Sequence, residues 1–168
     1  MVKFSISKDI SIAKTMPSKY YLDEKYYNLS LQNIFLHSWQ FIVLQSQMKN
    51  INTYPFIFLK NSINEPLLLT KSSKGIKCMS NVCTHRGSII CNKPSYIQSI
   101  RCPYHGRRFD LNGTLKKAPG FNNVENFPSN DDNLSLYKIM ESNNFIFGKL
   151  SNQNAPKSRL NNIPLFPR

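Results

Sequence analysis

Residues 83–106 read CTHRGSIICNKPSYIQSIRCPYHG. The 168-residue chain holds four cysteines and three histidines, and two of each fall in this stretch, as Cys83-x-His85 and Cys102-x-x-His105. A glycine, Gly87 or Gly106, stands close behind each histidine. Thiolate and imidazole both ligate transition metals, so the stretch reads as a site for zinc or an iron–sulfur cluster. Zinc fingers usually take both cysteines from one knuckle and both histidines from one helix, whereas here each of two loops brings one of each. A mixed pair per loop is what a two-metal cluster with unlike ends requires. Cys83 and Cys102 would grip one iron, and His85 and His105 the other. Two ferric irons, two sulfides and two thiolates sum to zero charge, against minus two with four thiolates, so the mixed centre accepts an electron more readily.

The neighbours suit such a centre. Gly87 and Gly106 let backbone N–H groups come near the sulfurs, where hydrogen bonds raise the potential. Pro103 stiffens the second loop. Arg86, Arg101, Arg107 and Arg108 bring positive charge, with Arg86 expected to support the cluster loop and the other three read as solvated surface or a docking face. Tyr104 and Phe109 either shield the centre from water or pack as ordinary core. Cys78-x4-Cys83 begins like a plant-type ferredoxin pattern, but the next cysteine would fall at position 86, which is arginine. Cys78 and Cys91 therefore read as small buried or half-buried thiols. The bland alternative, the same four ligands on one structural zinc, stays open at this stage.

Working outward, the formal charge of +13 would suit a nucleic-acid or membrane-surface binder. Its distribution speaks against both: lysines are scattered, no basic helix stands out, and asparagine is abundant, so the expectation is a solvated basic surface able to attract an acidic protein partner. No run of eighteen apolar residues occurs, and MVKFSISKDISIAKT has neither an apolar stretch nor a small-residue cleavage site. The expectation is a soluble, cytoplasmic chain, with cysteines serving metal chemistry ahead of disulfides.

Residues 1–22 look extended and irregular. Asp23 is a helix cap, and Tyr27, Leu31, Ile34 and Phe35 recur at helical spacing to His37 or Ser38. Trp39, expected in the core, opens the strand-like WQFIVLQ. Short β segments follow at 54–60, 66–70 and 75–82, then an Asn112-Gly113 hairpin turn, then segments at 133–140 and 144–150. This is an all-β pattern, a sandwich or small barrel with one N-terminal helix. It divides into an arm and helix at 1–38, a β domain at 39–150 and a polar, proline-punctuated tail or linker stub at 151–168.

CTHRG and CPYHG, with sixteen residues between His85 and Cys102, resemble the two ligand loops of a Rieske [2Fe–2S] domain. IFLHSWQFI, NEPLLL, SNVCTHRG, CPYHGRRFDLNGTL and APGF resemble, in order, the N-terminal part of ring-hydroxylating oxygenase α subunits and their choline-monooxygenase-like relatives. The resemblance implies the Rieske fold, antiparallel sheets with the ligands on two loops at the tip of a subdomain. It also implies one [2Fe–2S] cluster on Cys83, His85, Cys102 and His105, an electron-donating reductase or ferredoxin, and an oxygenase domain or subunit that receives the electron through His105. The respiratory-chain type carries a loop disulfide and a serine where this chain has Ser88, Tyr104 and Arg107. Without them the potential should lie low in the Rieske range, on the order of −150 mV.

Oxygenase α subunits continue into a catalytic domain whose two histidines and one carboxylate hold a mononuclear iron. After the cluster ligands are assigned only His37 remains, which reads as a packed or surface histidine, so this sequence holds no catalytic set of that kind. Three readings follow: the Rieske portion of an oxygenase, a stand-alone Rieske ferredoxin, and a zinc-stabilised interaction module.

Overall fold

A computed structural model describes residues 5–151. The Asp23 carboxylate accepts the Lys25 N–H and caps helix α2 (Glu24–Ser30). The turns widen into a π-helical segment, Leu31–Phe35, and close where the Ser38 N–H donates to the Ile34 carbonyl. Within the arm expected to be extended lies one further short helix, α1 (Lys19–Leu22), started by the Pro17 carbonyl accepting the Tyr20 N–H at 3.0 Å. A proline just before a first turn loses no helical hydrogen bond there, which makes it a natural helix opener.

Among the described residues nine strands follow: β1 (Gln40–Leu44), β2 (Thr53–Phe58), β3 (Glu65–Ser72), β4 (Gly75–Ser80), β5 (Ile100–Arg101), β6 (Arg108–Phe109), β7 (Leu115–Lys117), β8 (Leu136–Ser142) and β9 (Phe145–Lys149). Six form one sheet in the order β1-β9-β8-β4-β3-β2, and β5-β6-β7 form a second, smaller one. Every pairing is antiparallel. The β segments read from the sequence all fall on strands; β5 and β6, two residues each, are too short for alternation to reveal.

The apolar run in β3 shows how the two halves of the molecule share one strand. Side chains alternate across a strand, so a half-covered strand alternates apolar and polar, and one covered on both faces reads as a continuous apolar run. Leu67 and Leu69 point into a body core with Val43, Met48, Phe58, Cys78 and Ile146. Leu68 points the other way, into a second core with Met79, Ile90, Ile100, Phe109, Leu115 and Leu134, which also takes in Cys83 and Cys102. β4 divides in the same manner, Cys78 to the body and Met79 to the second core. The second core is the platform for the motif of residues 83–106.

The connection 91–99 has no strand of its own and is pinned by side-chain amides. The buried Asn81 donates from Nδ2 to the Cys91 carbonyl at 2.7 Å and accepts the Cys91 N–H at 2.9 Å. The buried Asn52 does the same with the carbonyl and N–H of Ile97, at 2.7 and 2.9 Å. Each carboxamide thereby replaces a strand partner on either side of Ser95, whose own N–H and carbonyl pair with Thr53 in an isolated antiparallel bridge. Trp39, expected in the core, is half-buried, with the Lys149 ammonium 5.0 Å from its ring. The stretch read as a tail, apart from Ser151, lies outside the described residues.

Candidate metal centre

The two motif loops are built alike. In the first, the Cys83 N–H donates to the Ser88 carbonyl at 2.8 Å and the Gly87 N–H to the Cys83 carbonyl at 3.1 Å. In the second, the Cys102 N–H donates to the Arg107 carbonyl at 2.8 Å and the Gly106 N–H to the Cys102 carbonyl at 3.1 Å. Both glycines stand four residues after a cysteine with positive φ, 68° and 75°. Their register is therefore to the cysteines, although the histidines sit at different offsets. One loop is closed below by the Val82–Ile89 bridge, the other by the β5–β6 pair.

The glycine N–H groups go to the cysteine carbonyls, and other donors approach the sulfurs: the His85 N–H to Cys83, and the Tyr104 and His105 N–H groups to Cys102. The glycines supply the left-handed turn that aims those donors. The Ser88 hydroxyl also reaches Cys102, with the Ile89 carbonyl at 3.3 Å as its alternative acceptor. Nothing in the local sequence marks it, because the contact spans the two loops.

The four candidate ligands gather as two pairs. Cys83 and Cys102 are buried, 3% and 2% exposed, and their thiols hydrogen-bond to each other. Burial pushes the Cys83 thiol up. Burial also acts against Cys102, but the Tyr104 N–H, the Cys83 thiol, the His105 N–H and the Ser88 hydroxyl outweigh it and hold that thiol below its ordinary value. The His85 and His105 rings lie 4.8 Å apart, edge to face, at the outer end, His85 half-buried and His105 exposed. Burial, Arg107, His105 and Arg86 together hold the His85 imidazole below its usual range, which favours the neutral, ligating form. Among the described residues no three His, Cys, Asp or Glu side chains converge as a single metal ion requires.

Around the pairs, the Tyr104 ring lies 3.8 Å from that of His105 and is 60% exposed. Phe109 is fully buried beneath the loops, so its place is core. Pro103 is exposed at the outer turn. Arg86, expected to support the first loop, is exposed, as are Arg101 and Arg108. Arg107, expected at the surface, is the buried one, 4% exposed, and its Nε has no hydrogen-bond partner among the described residues. Cys78 is buried in β4, its thiol pushed up to about 12 by desolvation, and Cys91 is half-buried. His37 is half-buried at the helix end.

The donor set fits a binuclear cluster: two buried thiols with N–H donors on one side, two imidazoles on the other, and an unpaired buried guanidinium N–H nearby. A sequence profile of the Rieske [2Fe–2S] domain matches residues 38–128. The chain belongs to the Rieske [2Fe–2S] family. It is similar to the carnitine monooxygenase oxygenase subunit of Escherichia coli (strain K12), 31% identical over 137 residues, covering 80% of this chain and 36% of that protein. It is also similar to the chloroplastic choline monooxygenase of Beta vulgaris, 32% identical over 135 residues, covering 80% of this chain and 30% of that one. The Rieske chain thus spans about a third of the length of these relatives. Among solved structures, a quaternary ammonium Rieske monooxygenase in complex with L-carnitine superposes with a TM-score of 0.77 over 92% of this chain and 43% of that one, at 23% identity. Naphthalene 1,2-dioxygenase with bound indole superposes with a TM-score of 0.67 over 81% of this chain and 31% of that one, at 22% identity. These likenesses show the Rieske fold, and the family brings a [2Fe–2S] cluster as cofactor. No helix among the described residues is long and apolar enough to cross a membrane.

Proposed function

We propose that the chain is the electron-relay portion of an oxygenase of the aromatic- or choline-oxidising class. It would take electrons from a reductase or ferredoxin and pass them to a mononuclear iron carried elsewhere. The observation that carries this reading is the polarity of the site: the thiol pair is buried on the second core, and the imidazole pair stands at the surface. Bound between them, a [2Fe–2S] cluster supplies storage of one electron at a time. On this reading Cys83 and Cys102 hold the inner iron and His85 and His105 the outer one. His105, exposed and covered on one side by the Tyr104 ring, is the exit toward the receiving iron. Arg86, Arg101 and Arg108 leave positive charge around the tip, which suits an acidic electron donor.

Residues 39–150 form the relay unit in this proposal, with 1–38 as the arm and helix that precede it, and the cytoplasm is its working place. The likeness to carnitine and choline monooxygenases supports a quaternary ammonium compound as substrate of the oxygenase it serves.

The test is delivery. The protein, loaded with iron and sulfide and reduced, is mixed with an oxygenase subunit whose own Rieske ligands have been mutated. Hydroxylated product supports the proposal. Product only with an intact oxygenase cluster marks the chain as a stand-alone Rieske ferredoxin, which feeds a cluster in place of a mononuclear iron.

A further inference from the structure

Arg107 alternates in phase with Phe109, so both point inward, while Arg108 between them points out. Its backbone and its side chain do separate jobs. The carbonyl closes the second ligand loop by accepting the Cys102 N–H at 2.8 Å. The guanidinium crosses to the first loop, where Nη1 donates to the Thr84 hydroxyl at 3.2 Å, Thr84 being the residue between Cys83 and His85. The same nitrogen lies 3.3 Å from Oδ1 of Asp132, and the Thr84 hydroxyl donates to the Asp132 carbonyl at 2.8 Å. Asp132 is itself held: its Oδ2 accepts the Ser129 N–H at 2.9 Å. The guanidinium also lies against Phe121 and Phe127, 5.2 and 5.3 Å from their ring centres, and Phe121 meets the His85 ring edge-on at 5.7 Å.

We infer that Arg107 is the positioning residue of the centre: one buried cation that couples both ligand loops and, opposed by Asp132, sets how readily the centre accepts an electron. The inference rests on the cluster assignment and not on the proposed delivery to an oxygenase. Arginine stays charged in any folded environment, and a charge removed from water acts over a longer range than a solvated one. The ion pair does not cancel that field evenly, because the Arg107 side chain is 5% exposed and that of Asp132 is 20% exposed.

The test compares three variants of the cluster-loaded protein by potentiometric titration, followed by absorbance and paramagnetic resonance. Arg107→Gln makes reduction about tenfold less favourable, which for one electron is about 59 mV. Asp132→Asn shifts it in the opposite direction. Arg107→Lys keeps the charge and stays within about threefold of the parent, with a faster loss of cluster because lysine lacks the planar fork. Loosened packing would move Arg107→Gln and Asp132→Asn the same way, so that result, or no shift in either, overturns the inference. If Arg107→Gln does not retain its cluster, Asp132→Asn decides alone: easier reduction upholds the inference, and an unchanged or harder reduction overturns it.

Discussion

Gly87 and Gly106 are equivalent positions in two loops of different sequence: each donates its N–H to the carbonyl of the cysteine four residues before it, in the left-handed conformation. A Cβ at Gly87 would meet nothing within 4 Å, and one at Gly106 would meet only ordinary contacts of 3.6 Å and more. The cost of a side chain there is therefore backbone strain alone. Gly87→Ala and Gly106→Ala should each lose about 1–2 kcal/mol in urea unfolding. Asparagine, which tolerates this conformation, should lose less at Gly87. Equal losses for alanine and asparagine would count against a conformational origin.

The ligand assignment makes a prediction about charge. His105→Cys exchanges a neutral ligand for an anionic one, so a variant that keeps its cluster should be harder to reduce. Cys83→Ala and Cys102→Ala should lose iron and sulfide. An unchanged or higher potential in the His105 variant would remove that residue from the ligand set.

Cys78 and Cys91 belong to the packing and not to the centre. With its thiol pushed up to about 12, Cys78 should resist iodoacetamide in the native protein and react only on unfolding. Cys78→Ala should cost about 1 kcal/mol of stability, and both it and Cys91→Ala should retain full iron and sulfide with an unaltered paramagnetic spectrum. Loss of half the iron in either variant would show that the assignment is wrong.

Asp110 organises the hairpin between β6 and β7 and carries the acid dependence of that turn. Burial alone would raise its carboxyl, but the N–H groups of Thr114 and Asn112 donate to it at 3.0 and 2.9 Å and Lys116 lies 3.3 Å away, which together hold it below 3.8. A carboxyl depressed in the folded state stabilises above its unfolded value and loses that contribution as the pH falls through the folded value. Asp110→Ala should thus cost about 1–2 kcal/mol at pH 7. The gap between variant and parent should shrink below about pH 4, measured by urea unfolding at both pH values. A gap that persists in acid would place the effect in packing.

What the sequence determined by itself was whatever is encoded locally. Asp23 as a cap, the apolar runs that became strands and the paired Cys and His spacing each depend on residues a few positions apart, where backbone geometry alone sets the outcome. Tertiary structure decided which arginine matters and where the sulfur donors come from. Arg86, Arg101, Arg107 and Arg108 are alike as a composition, and only folding β6 against the second core buries Arg107 beside Thr84 and Asp132 while leaving the others in water. Ser88 reaches Cys102, and Asn52 and Asn81 grip the connection 91–99, across separations that no local pattern records. The physical reason is common to all of them: a polar side chain's worth depends on whether it is desolvated and on what then faces it, and both are properties of the packed chain.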